Sequence, residues 1–214
     1  MGMCMGNIMR DQGCVTYAYH NHTYTYYNRD ATHPNMGYEY KGNGSGVDIE
    51  KFWPESDLDM MKVTMDEYIN EERFHAYYMT VSGHKNYTYM DNYMSFKNKD
   101  LVADLEASEA MKAYVACNIE LDKALEYIIK RLEEKGIADK TVIAFAADHY
   151  PYGLKDELVE EIGAEANKWY GLQKSNLVIW IYKKIKEYYN EKELLSNKTK
   201  DMQLLRITLP ELKD

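Results

Sequence analysis

Three short stretches of the chain bring together side chains that can bind or move charge. In Asp148-His149-Tyr150-Pro151 a carboxylate and an imidazole stand side by side, a pair that can ligate one divalent metal while Pro151 stiffens the exit. A capping aspartate beside a partly exposed histidine would read the same, so the pair takes its meaning from its place in the fold. In Ser82-Gly83-His84 the glycine permits a tight turn that presents His84. An imidazole there can hydrogen-bond a phosphate or protonate a leaving group near neutral pH, although an ordinary loop histidine is the plainer reading. The third stretch is His20-x-His22 with Arg29. The planar fork of Arg29 suits two-point binding of phosphate or sulfate oxygens, with Tyr26 and Tyr27 shaping a headgroup pocket. His20 and His22 would share a face on a strand, but they read as following a strand rather than lying in it, which sets a shared metal aside. The chain has no nucleophile elbow of the GxSxG kind and no Walker-type phosphate loop, and residues 42–46 read as flexible loop.

These groups need elements to position them. Residues 6–12 read as the end of a helix closed by Gly13, and residues 14–19 as a short strand. Residues 20–30 are too dense in His, Asn, Thr and Tyr to be expected in a core. Residues 31–48, with Pro34 and four glycines, predict loop with one short strand near residues 38–41. Asp57 is placed to cap a helix running to about Asn70, with Leu58, Met61, Met65 and Tyr68 on one stripe. Residues 74–81 predict a strand that Ser82-Gly83-His84 turns away from the sheet. A long helix is expected over residues 101–135, on the spacing of Leu101, Leu105, Met111, Val115, Ile119, Leu125, Ile128 and Leu132, with Gly136 ending it. Residues 141–147 form an apolar run of the kind that makes a strand buried on both faces, and residues 176–181 form another. A polar helix is expected between them, over residues 155–169. Strands alternating with helices predict an α/β protein with a largely parallel central sheet flanked by helices. In open sheets of that kind, functional groups collect at the carboxyl ends of the strands, where all three stretches fall.

Composition narrows the function further. The 214 residues carry 26 Lys and Arg against 35 Asp and Glu, a net charge of −9. So acidic a chain is not built to grip a nucleic-acid backbone, and no nucleic-acid partner is expected. Hydrophobic residues at 45% and charged residues at 29% describe a globular protein. No run approaches the roughly 20 apolar residues of a membrane span, and the N-terminus does not read as a secretory signal. The chain as written is therefore expected to be soluble. Three cysteines make neither a disulfide framework nor a zinc site. The 21 tyrosines suit either a half-buried core or the lining of a sugar or headgroup site.

The stretches YAYHNHTYTYYNRD, FHAYYMTVSGH, LEEKGIADKT, ADHYPYGL and SNLVIW together resemble the lipoteichoic acid synthase-like phosphoglycerol transferases of the sulfatase/alkaline phosphatase superfamily, over roughly residues 7–181. The resemblance implies an alkaline phosphatase/sulfatase-like fold and a membrane-anchored extracellular domain. It implies cleavage of phosphatidylglycerol and transfer of glycerol phosphate to a polymer, usually with manganese. In that family a Glu, a nucleophilic Thr and the Asp-His pair hold the metal, and the pair matches Asp148 and His149. The residues that contact glycerol phosphate match His84, His20 and Arg29, and Tyr27 stands where the family often has Trp.

The family's Glu ligand and Thr nucleophile lie upstream of its histidine stretch, and only 19 residues precede His20. The expectation is therefore a sulfatase-like catalytic domain over residues 1–182 that lacks its first strands, followed by a charged tail over residues 183–214, either helical or disordered. Such a chain is expected to hold Mn2+ weakly and to be inactive alone, with an exposed edge beside strand 14–19 that invites self-association. Two further readings are a sulfatase or phosphodiesterase hydrolase, and an inactive remnant that binds anionic headgroups.

Overall fold

The computed structural model describes residues 3–144 and Glu160. They belong to the first of two compact units, Met1–Glu161, while the second, Ile162–Asp214, and the expected boundary at residue 182 lie outside them. Of the elements expected over residues 155–169 and 176–181, the described residues include only Glu160, which is helical.

Among the described residues four strands form one sheet, β1 (Val15–Thr23), β2 (Glu39–Asn43), β3 (Gly46–Val47) and β4 (Phe74–Met79), in the order β3-β2-β1-β4. Every neighbouring pair is parallel, which agrees with the expected sheet. The central strand, β1, runs four residues beyond the expected 14–19. Its sequence, VTYAYHNHT, is β-branched or aromatic at most positions, and this outweighs the polarity of its end. His20 and Asn21 are 2% and 0% exposed, so the polar segment does enter the core. It can do so because its side chains are hydrogen-bonded there.

The exposed edge expected beside residues 14–19 is not present. β2 covers one side of β1 and β4 covers the other, both supplied by later parts of the chain.

Among the described residues these helices flank or follow the strands: α1 (Met5–Asp11), α2 (Arg29–Asn35), α3 (Asp57–Thr64), α4 (Tyr93–Lys97) and α5 (Glu109–Glu134). α1 ends as expected, with Gly13 at φ +83° and its N–H donated to the Arg10 carbonyl. α2 replaces part of the expected loop, because Pro34 falls in its last turn and does not break its start. α3 is shorter than expected and is capped by Ser56, whose hydroxyl accepts from the Asp59 N–H at 3.0 Å. Asp57 is thereby left for another task.

The long helix starts at residue 109, with Ser108 as its cap, and its buried face shares Met111, Ile128 and Leu132 with the expected stripe but not Val115, Ile119 or Leu125. That face consists of Met111, Ala113, Ala116, Cys117, Glu120, Ala124, Ile128 and Leu132, while Leu101 lies outside the helix and is 62% exposed. Small residues let α3 and α4 pack closely, and Glu120 is buried among Ser56, Lys97 and Asn98, all of which donate to its carboxylate. Burial opposes the charge on Glu120, yet these donors hold its carboxyl below the usual range. The main core joins Tyr19, Val47, Met60, Met61, Met65, Tyr68 and Ile69 to the C-terminal half of α5.

Residues 141–144 form no strand, and Val142 is 89% exposed. An apolar run becomes a strand only where a neighbour takes its backbone hydrogen bonds, and these four residues pair with none among the described residues. The rest of the run lies outside them.

Candidate anion-binding site

Parallel pairing sets His20 of β1 opposite Met79 of β4, where both strands reach their carboxyl ends. His20 Nδ1 lies 2.8 Å from the Met79 carbonyl oxygen, which can only accept, so Nδ1 carries the proton. Nε2 is then a lone pair, and it accepts from Nη1 of Arg29 at 2.7 Å. Burial drives the pKa of His20 down to about 4, with Arg29 adding to the effect, so the ring is neutral at ordinary pH.

Between β1 and α2 the chain makes a tight turn, Tyr26–Asn28, that aims Arg29 back at the strand end. Tyr27 and Asn28 both adopt left-handed backbone, with φ of +54° and +53°. For residues with a β-carbon this costs roughly 1–2 kcal/mol each, which packing around the turn must offset. The turn sets the Tyr26 and Tyr27 rings each 5.6 Å from the guanidinium carbon, and Tyr27 is 76% exposed. Among the described residues no carboxylate pairs with the Arg29 guanidinium. Within the described residues its charge is oriented by a neutral acceptor and meets no counter-charge, a state suited to an incoming anion.

A second line of rings reaches His84. His22 contacts Tyr26 at 4.8 Å and Trp53 at 5.1 Å between ring centroids, and Trp53 in turn contacts His84 at 5.0 Å. Two further contacts fix the orientation of these rings. His22 Nδ1 lies 2.7 Å from Oε1 of the buried Glu55, and His84 Nδ1 donates to the Lys85 carbonyl at 2.9 Å.

The turn that carries His84 is held from below by Asp57. Its Oδ1 accepts from the Val81 N–H at 2.9 Å, the Ser82 N–H at 3.2 Å and the Asn21 amide at 2.7 Å, and Oδ2 accepts from the Ser82 hydroxyl. Burial pushes the Asp57 carboxyl above its usual range, against the pull of these four donors. From the other side, the Asn92 amide donates to the carbonyls of Ser82 and His84.

The structure thus brings His20, Tyr27 and Arg29 into one contact group and joins His84 to it through Trp53 and His22. His20 and His22 do lie within β1, contrary to expectation. They are not a metal pair, because His20 has both nitrogens engaged and His22 turns to Glu55. Asp148 and His149 lie outside the described residues. Among the described residues, no group of three or more His, Cys, Asp or Glu side chains could hold a metal ion. Glu55, Trp53 and Asp57 were not legible as site residues. The signal nearest to them was the run Trp53-Pro54-Glu55-Ser56-Asp57, where an aromatic and two acids crowd a helix start.

Comparison with known proteins adds a family. Residues 3–205 match the family model described as Sulfatase. No curated protein matches the chain. Among solved structures, the crystal structure of the lipoteichoic acid synthase LtaP from Listeria monocytogenes is similar, with 24% identity and a TM-score of 0.49. The similarity covers 63% of this chain and 34% of that one, so the chain spans about a third of that protein's length.

Proposed function

The chain belongs to the sulfatase family, and we propose that the group of side chains around Arg29, at the ends of β1 and β4, binds the phosphate of a lipid-headgroup phosphodiester, of which phosphatidylglycerol is the type, for transfer of glycerol phosphate. The observation that carries this reading is the Arg29 guanidinium, held by the neutral Nε2 of His20 at 2.7 Å and faced by no carboxylate among the described residues. An arginine paired with a carboxylate is already neutralised, whereas one held by a neutral ring keeps both its charge and its remaining donors. Tyr27, stacked near Arg29 and largely exposed, forms the wall on which a headgroup lies.

In this reading His84 meets the same phosphate from the β4 side, with Nδ1 fixed on a carbonyl and Nε2 available to donate when protonated or accept when neutral. A divalent cation, manganese by resemblance, would be held by Asp148 and His149 and would supply charge to the phosphoryl oxygens. The described residues bind and orient the anion without it. The reading also sets the domain at the outer face of a membrane, where such lipids are exposed. No helix among the described residues is long and apolar enough to cross one.

Calorimetric titration of the full chain with glycerol phosphate tests the reading. Arg29→Gln is expected to weaken binding by at least about tenfold, the worth of one charge-assisted hydrogen bond. Equal affinity in wild type and variant would remove Arg29 from the site.

A further inference from the structure

The segment around α4 is built inside out. Its inner side holds Met94 with two polar residues, Ser95 and Asn98, whose side chains donate to the Ala113 carbonyl and to Glu120. Phe96 faces outward and is 49% exposed. A single exposed ring is ordinary, but Phe96 belongs to a row. Its ring lies 6.3 Å from that of Tyr93, which stacks on Phe52 at 3.9 Å. Phe52 and its neighbour Trp53 are 39% and 41% exposed. The Tyr93 N–H donates to the Trp53 carbonyl at 2.9 Å and so fastens residues 52–53 to the start of α4. At the far end, the Lys99 ammonium lies 4.5 Å from the centre of the Phe96 ring.

This row is continuous with the Arg29 site. Trp53 belongs to both, through its contact with His84. Asn92 caps α4 by accepting from the Ser95 N–H at 2.8 Å, and its amide also holds the turn that bears His84. We propose that Phe52, Trp53, Tyr93 and Phe96 form a surface that enters the headgroup layer of a lipid bilayer, so that a lipid's phosphate reaches Arg29 while its chains stay in the membrane. The choice of a bilayer as the occupant rests on the headgroup reading above, since a surface beside a site for bilayer lipids must meet that bilayer. The side chains suit such a layer: Trp and Tyr are apolar bodies with one polar atom, and the stem of Lys99 lies along the surface with its charge free to return to water. Charge does not supply the attraction, because the chain carries −9 and Asp100 follows Lys99 directly. Burial of the rings drives it, and neutral lipid suffices.

Cosedimentation of the full chain with vesicles of pure phosphatidylcholine tests this surface, because these vesicles carry neither a glycerol headgroup nor a net charge. Wild type is expected to bind, with little change between about 0.1 and about 0.5 M salt. The double variant Phe52→Ser, Phe96→Ser is expected to bind at least about tenfold more weakly. A second measurement covers any effect of that change on folding: phosphatidylcholine brominated near the top of its chains is expected to quench tryptophan emission in the wild type, and Trp53→Phe to lose most of that quenching. Wild type that stays off the vesicles, a double variant that binds equally, or quenching that survives in Trp53→Phe overturns the bilayer surface and leaves the Arg29 site to the titration with glycerol phosphate. Wild type that ignores vesicles and sediments as a dimer, which the double variant does not form, overturns it in favour of a second copy of the chain. If vesicles bind and soluble glycerol phosphate does not, the Arg29 reading falls and the surface stands.

Discussion

With its Nδ1–H given to the Met79 carbonyl, His20 offers Arg29 a lone pair, and this arrangement holds only while the ring is neutral. Burial secures that state by lowering the pKa to about 4, against an ordinary value of 6.5. Between those two values the unfolded chain takes up a proton that the folded chain refuses. The stability tied to His20 is therefore complete above pH 6.5 and is lost as the pH falls toward 4, by at most on the order of 3 kcal/mol. His33 and His75, whose pKa values burial also lowers, act in the same direction. Urea denaturation of wild type should show stability falling from neutral pH to about pH 4.5, and His20→Gln should fall less steeply. Parallel slopes for the two would mean that His20 is not the titrating group.

At the scale of elements, one carboxylate ties three of them together. Asp57, the first residue of α3, accepts from Asn21 in β1 and from Val81 and Ser82 beyond β4, and so fixes the turn that carries His84. In Asp57→Ala, two backbone N–H groups, a hydroxyl and an amide would each lose this acceptor in a buried setting. The expected loss is about 3–5 kcal/mol, the range for breaking a buried charged network. Asp57→Asn keeps one acceptor and should fall between the two. A change below about 1 kcal/mol in Asp57→Ala by urea denaturation would show that other contacts hold the turn. The Ser56 cap explains why the aspartate is available: a hydroxyl already satisfies the helix start, so the carboxylate beside it can face inward.

At the scale of the whole molecule, the net charge of −9 repels anions, and binding must come from a local exception to it. Arg29 is such an exception, and a divalent cation at Asp148 and His149 would be a second. Millimolar Mn2+ is expected to raise the melting temperature of the wild-type chain, because a ligand that binds only the folded state stabilises it. Asp148→Ala should lose that rise. An equal shift in both proteins would mean that the ion binds elsewhere. The family match spans residues 3–205 and so includes both Arg29 and Asp148.

Much of the scaffold was legible in the order of residues alone, because it follows from local rules. The parallel α/β class, the end of α1 at Gly13, the strand expected over residues 74–81, which ends at Met79, and the turn at Ser82-Gly83-His84 all follow from the period of apolar residues and the placing of glycine. The candidates His20, Tyr27, Arg29 and His84 were read from residue type and from the family's motifs, and of these His20, Tyr27 and Arg29 come into contact in the fold. Partnership across the chain was not legible. That His20 and Asn21 lie in the core depends on Met79, Arg29, Glu55 and Asp57, which are up to 59 residues away in sequence. The same holds for Glu120 in the face of α5, which needs Ser56, Lys97 and Asn98. A polar side chain is excluded from a core by the cost of losing water, and only a partner brought in by the fold removes that cost. Residue type therefore named the candidates for binding an anion, and the tertiary structure decided which of them are buried and which partners they meet.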